Sequence, residues 1–185
     1  MSTINLPDNF TKSVPDGDHF ERDVCTTCGF ISYANPKLVA GSVTTAGDGR
    51  ILLCKRAIEP RSGFWTLPAG YMELNETVEA GATREAMEEA NAKIEIDCLL
   101  AVYSIARISQ VQMIFRARLS DLNISPGPES IEVGLFAWEE IPWKELAFPS
   151  VHWALGQYRE SKDLESFPPF TNPKGETGNH LPQGV

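Results

Sequence analysis

Residues 84–93 read REAMEEANAK, which sets Glu85, Glu88 and Glu89 beside Arg84 within six positions. On a helix of 3.6 residues per turn the three glutamates share one face, related by i, i+3 and i+4. Each like-charge pair at those spacings costs ~0.2–0.5 kcal/mol. Carboxylates in a last turn also oppose the helix macrodipole, by ~0.3–1 kcal/mol each. As pure structure the cluster is unfavourable, and a divalent cation would reverse the sign of both terms. Oxygen-only donors suit Mg²⁺ or Mn²⁺. The competing reading is a solvated acidic face, partly neutralised by Arg84 at i, i−4 from Glu88. The helix itself is expected from Glu76 to Ala90, with Asn75 as N-cap. Its alanines and Met87 occupy the opposite side, which is therefore the face expected to bury.

The rest of the chain predicts strands mixed with helices and no regular βα alternation. KLVAGSVTTAGDGRILLCKRA reads as two strands joined at Gly47-Asp48-Gly49. KIEIDCLLAVYSIA and QVQMIFRARL alternate as further strands, and SVHWALGQYRESK carries apolar residues at helical spacing. A mixed sheet with helices packed on it follows, an α/β class. The formal net charge of −9, without a Lys/Arg block, argues against long nucleic acid as a partner. A small phosphorylated ligand stays compatible if a cation intervenes. No apolar run approaches membrane-spanning length, and the opening MSTINLPDNF shows no secretory pattern, so a reduced, cytoplasmic protein is expected.

Written out from Gly70, GYMELNETVEAGATREAMEEANA runs Gly, five residues, Glu76, seven residues, Arg84-Glu85, two residues, Glu88-Glu89. This resembles the Nudix box, Gly-x5-Glu-x7-Arg-Glu-U-x-Glu-Glu-x-Gly-U with U aliphatic. The box's second glycine is Asn91 here, and Asn tolerates the left-handed backbone that such a helix end favours. The likeness extends through YANPKLVAGSV, LLCKRAIEPRSGFWTLPAGYMEL, PGPESIEVGLFAWEEIPW and LAFPS, which are similar to the Nudix branch bearing an N-terminal zinc ribbon. The resemblance implies a Nudix α/β/α sandwich with a mixed sheet, after a short ribbon-like segment. Domains are expected at 1–34 (with a partial zinc-ribbon knuckle) and 35–163 (hydrolase), and the Pro-, Gly- and Asn-rich composition of the end makes 164–185 an extended or disordered tail.

For the site, the resemblance implies Glu85, Glu88 and Glu89 as metal ligands with Gly70 at the bend beside them, Glu85 also counting as catalytic. Arg84 and Glu76 would orient the cluster. The reaction implied is Mg²⁺- or Mn²⁺-dependent hydrolysis of a nucleoside diphosphate linked to another moiety, with ADP-ribose or FAD favoured and AMP released. The stretch SIARISQVQMIF lacks the element of the NADH-preferring enzymes, although NADH, dinucleoside polyphosphates and a non-catalytic nucleotide sensor remain alternatives. Many Nudix enzymes supply a further glutamate before the strand LFAWEE. Glu129 and Glu132 both lie there, and Glu132 is the one chosen as catalytic, against a solvated loop acid. Trp65 is taken as substrate-binding by stacking, against a core role. The implied partner is a small-molecule nucleotide, with no nucleic acid or membrane, and a homodimer is left open. CTTCG at 25–29 has the shape of one zinc knuckle, but the segment has no further cysteine, so structural Zn²⁺ is not expected. Cys54 and Cys98 sit in apolar strand contexts and read as core.

Overall fold

A computed structural model describes residues 6–180, and the chain divides into two compact units, Met1–Pro36 and Lys37–Val185. The first unit is a three-stranded antiparallel sheet of β1 (Phe10–Ser13), β2 (Arg22–Cys25) and β3 (Ile31–Ser32), with β2 in the middle. Its tight turn closes when Gly29 N–H donates to the Cys25 carbonyl at 2.9 Å, Gly29 itself lying at φ 74°. Asn9 Nδ2 donates to Cys25 Sγ at 3.2 Å. The N–H groups of Cys28 and Thr27 also point at this sulfur and hold the Cys25 thiol below its usual range.

The second unit is built on a seven-stranded sheet. Its strands are β4 (Lys37–Thr45), β5 (Ile51–Arg56), β6 (Trp65–Thr66), β7 (Ala69–Tyr71), β8 (Ile94–Ile105), β9 (Gln110–Leu119) and β10 (Ser130–Phe136). Their order is β10-β5-β4-β9-β8, with β6 on β5 and β7 on β4. The β4–β9 pairing is parallel and the others antiparallel, so the sheet is mixed as expected. The β4–β5 turn forms at Gly47-Asp48-Gly49, where Ala46 and Arg50 pair and Gly49 takes φ 85°.

Two helices cover the sheet, α1 (Val78–Ala90) and α2 (Pro149–Ser161). Alternation along β5 separates their sides: Ile51 and Leu53 bury with Trp153 and Leu155 of α2, whereas Leu52 and Cys54 bury with Ala86 and Ala90 of α1. The result is an α/β/α sandwich. Small alanines let α1 lie close to the sheet, and Ala82, Ala86 and Ala90 are fully buried.

Three local expectations need correction. The helix begins at Val78, and its N-cap is Thr77, whose Oγ1 accepts the Ala80 N–H at 3.2 Å. Asn75 instead turns the chain at φ 68°, and Glu76 lies before the helix. Met87 is 39% exposed, because the alanine stripe alone is narrow enough to meet the sheet. Asn91 does adopt the left-handed C-cap, at φ 49° and ψ 29°. Of the tail, residues up to 180 are described and 181–185 lie outside. Phe170 N–H donates to the Leu100 carbonyl at 2.9 Å and Asn172 pairs with Ser104, which ties the extended segment along β8.

Candidate active site

β4 and β5 pair only at Thr45 and Ile51, beyond which β4 takes β7 as its neighbour. Gly41 permits that approach, since a Cβ there would run into Ala69 and come within 2.8 Å of the Pro68 carbonyl oxygen. β7 thereby delivers Gly70 against α1, at a spot where a Cβ would overlap the Glu85 carboxylate. The bend and the helix are one site.

Arg84 organises it with five hydrogen bonds. Nε and Nη2 grip the Glu76 carboxylate at 3.1 and 2.9 Å, and Nη2 also donates to the Tyr71 carbonyl at 2.9 Å. Nη1 donates to Glu85 Oε1 and Glu88 Oε2, both at 2.8 Å. The bidentate grip of Arg84, with the Glu73 N–H on the same carboxylate, lowers Glu76 to a pKa of about 2. Glu85 and Glu89 differ. They are 8% and 6% exposed, whereas Glu88 is open to solvent. Burial raises the pKa of Glu85 despite Arg84. Burial raises Glu89 further, to about 8, with the Glu85 and Glu129 charges adding to it. Its hydrogen bond from the protein is the Ala69 N–H at 3.1 Å. Burial thus disfavours the ionised form of both groups, most of all Glu89, which has no cationic partner among the described residues.

The α1 C-terminus brings in the remaining carboxylate. Free helix carbonyls need donors: Ser125 N–H reaches the Ala90 carbonyl at 2.9 Å and Gly127 N–H the Glu89 carbonyl at 3.0 Å. Asn91 Nδ2 donates to the Ser125 carbonyl at 3.1 Å. The loop docked in this way carries Glu129 into the same cavity as Glu85, Glu88 and Glu89. That cavity is about 1130 Å³ and is also lined by Arg56, Arg61, Arg107, Phe148 and Gln112. Acidic groups and guanidinium groups therefore face one space large enough for a dinucleotide-sized ligand.

The donor set is made of hard oxygens and fits a divalent cation in kind. Among the described residues no three acidic, imidazole or thiol groups are already drawn together on one point. The cause is visible in the hydrogen bonds: Glu85 and Glu88 turn to Arg84 Nη1, and Glu89 turns to Ala69. These carboxylates rest on replaceable protein donors.

Six of the residues singled out by spacing come together here: Gly70, Glu76, Arg84, Glu85, Glu88 and Glu89. Two do not. Trp65 is 5% exposed and packs edge-on against Phe136 in the core, absent from the cavity lining. Glu132 lies on β10 with Lys55 Nζ at 3.9 Å, and Glu129 takes the place beside the cluster. Glu129 stands in the loop just before β10, whereas Glu132 lies within the strand past a register shift at Ser130, which sends the two glutamates to different surroundings. Arg56 and Phe148 were not singled out. Arg56 lies 5.2 Å over the Phe148 ring, a pairing across distant segments that no local spacing encodes.

An α/β/α sandwich with a loop-helix site of this make-up defines a class. A family model described as the NUDIX domain matches residues 35–155, and one described as Nudix N-terminal, a zinc ribbon, matches residues 9–34. The chain belongs to the Nudix hydrolase family. It is 36% identical over 105 residues to a MutT-like protein of Streptomyces ambofaciens, covering 54% of this chain and 66% of that one. It is 30% identical over 120 residues to an ADP-ribose pyrophosphatase of Methanocaldococcus jannaschii, covering 63% of this chain and 69% of that one. A NUDIX hydrolase of Nitrosomonas europaea, known from its crystal structure, is 48% identical with a TM-score of 0.82 over 88% of this chain and 93% of that one.

The ribbon match weighs against the expectation that this segment lacks zinc. The donors here do not fit a closed zinc site, however: four ligands are required, and the segment offers the Cys25 and Cys28 thiols and a single imidazole, His19, with no three such groups drawn together among the described residues. No helix among the described residues is long and apolar enough to cross a membrane.

Proposed function

We propose that this chain is a divalent-cation-dependent pyrophosphatase that cleaves the diphosphate of a nucleoside diphosphate joined to another moiety, with ADP-ribose or FAD as substrate and AMP as a product. The observation that carries the reading is the pair of buried carboxyl groups in the wall of the cavity, Glu85 on Arg84 Nη1 and Glu89 on the Ala69 N–H. The relative named as an ADP-ribose pyrophosphatase supports the substrate class.

Glu85, Glu88 and Glu89 would hold Mg²⁺ or Mn²⁺ beside Gly70, with Arg84 and Glu76 as positioning residues. When bound, the cation neutralises diphosphate charge and acidifies a water. The chain's own residues do the rest. Glu129 lines the cavity with its carboxylate unpaired among the described residues, and it is the group placed to take the proton of an attacking water at an Oε atom. Phe148 offers an aromatic edge or face to a base or flavin. A chain of net charge −9 binds an anionic substrate because the cation and the cavity arginines stand between the two. A soluble, cytoplasmic setting accords with this chemistry.

The test is a screen of ADP-ribose, FAD, NADH, diadenosine polyphosphates and nucleoside triphosphates, each with Mg²⁺, Mn²⁺ or EDTA. AMP release from ADP-ribose or FAD, abolished by EDTA, is expected. Turnover that persists in EDTA, or triphosphates as clearly the best substrates, would contradict the proposal.

A further inference from the structure

The β5–β6 loop carries a charge that the carboxylate cluster does not use. Arg61 lies at φ 68°, a left-handed conformation that residues with a Cβ rarely hold without cause. Glu59 Oε2 accepts its backbone N–H at 2.8 Å and so secures the turn. The guanidinium lies 3.7 Å from the Phe64 ring centre, and its Nε is buried with no hydrogen-bond partner among the described residues. No carboxylate of the described residues pairs with it. A strained backbone thus holds an uncompensated guanidinium in the wall of the cavity that also contains Glu85, Glu88 and Glu89.

We propose that Arg61 is an anion-binding arm of this cavity, taking phosphate oxygens of a diphosphate ester. The inference deepens the reading above and rests on it for the substrate class. Stacking on Phe64 covers a guanidinium face and, with Nε buried, leaves the edge that bears the two Nη groups to a ligand. That edge matches a phosphate fork to fork. Arg56, also in the wall, is tied by Nε to the Pro60 carbonyl at 2.9 Å and lies over Phe148, so it is anchored where Arg61 is not.

Arg61→Gly is the informative variant, because glycine accepts this φ without strain. It should melt at or above the wild-type temperature and keep the same Mg²⁺-induced rise. Calorimetric titrations of the Mg²⁺-loaded proteins would use the non-hydrolysable methylene analogue of ADP-ribose, inorganic pyrophosphate and adenosine. Arg61→Gly should bind both phosphorylated probes about tenfold or more weakly, as loss of a charge-assisted hydrogen bond implies, with adenosine unaffected. Arg61→Lys should fall between. Unchanged affinity for the phosphorylated probes, an equal loss for adenosine, or a clearly lower melting temperature in Arg61→Gly would overturn the proposal. Arg61-dependent binding of pyrophosphate without binding of the ADP-ribose analogue would sink the substrate reading and leave the arm standing. Wild-type protein that binds neither would sink both.

Discussion

Arg84 Nε, Nη1 and Nη2 all donate to Glu76, Glu85, Glu88 or the Tyr71 carbonyl, the bonding expected of the positioning residue proposed above. Glu76 is its firmest partner. Because folded Glu76 titrates at about 2 against an ordinary 4.5, its ionised form stabilises the fold above pH 4.5, and that contribution is lost as pH falls towards 2. Urea unfolding in EDTA across this range should therefore show a shallower acid loss for Glu76→Gln than for wild type. Parallel curves would mean that Arg84 does not depend on the charge. Gly70 gives a second test. An added Cβ meets the far end of the Glu85 side chain, which can swing aside, so Gly70→Ala should melt within a few degrees of wild type. The displaced carboxylate should nonetheless reduce Mg²⁺-dependent turnover by roughly 100-fold. Unimpaired turnover would show that Glu85 needs no set position.

At the scale of elements, the decisive junction is the loop that docks on the end of α1. A Cβ on Gly127 would overlap the backbone carbonyl of Glu88, which cannot move without unwinding the helix end. Gly127→Ala should destabilise the fold by about 1–3 kcal/mol, read from denaturant midpoints, and should withdraw Glu129 from the cavity with a loss of kcat. Full stability in that variant would mean that the loop does not rest on α1. The ribbon element makes a different prediction. With two thiols and Asn9 in its knuckle, the purified protein should contain less than one zinc per chain and melt unchanged after chelation. Stoichiometric zinc, with unfolding on its removal, would show that chains share a site or that other ligands serve.

Across the whole molecule, what was legible in the residues followed from local periodicity. The acidic face, the Gly-Asp-Gly turn, the left-handed Asn91 and the mixed strands and helices all depend on neighbours within a few positions. The parts misread depend on tertiary approach. Met87 stays exposed because the sheet meets a narrow alanine stripe, Trp65 is core because β6 folds over Phe136, and Glu129 rather than Glu132 reaches the cavity because a loop docks on a distant helix end. The cavity brings these distant parts together, and the central claim is that its buried glutamates are present for a cation and oppose stability without one. Thermal melts of wild type and Glu89→Gln, in EDTA and in Mg²⁺, test it most directly. The amide that replaces the carboxyl keeps an oxygen for the Ala69 N–H and removes the cost of protonating a group that ionises freely once unfolded, so in EDTA near pH 7 the variant should be the more stable by about 1–3 kcal/mol. Mg²⁺ at a hundredfold excess over Kd should raise wild type by about 2.7 kcal/mol and the variant by far less. A variant less stable in EDTA that gains as much from Mg²⁺ as wild type would contradict the claim.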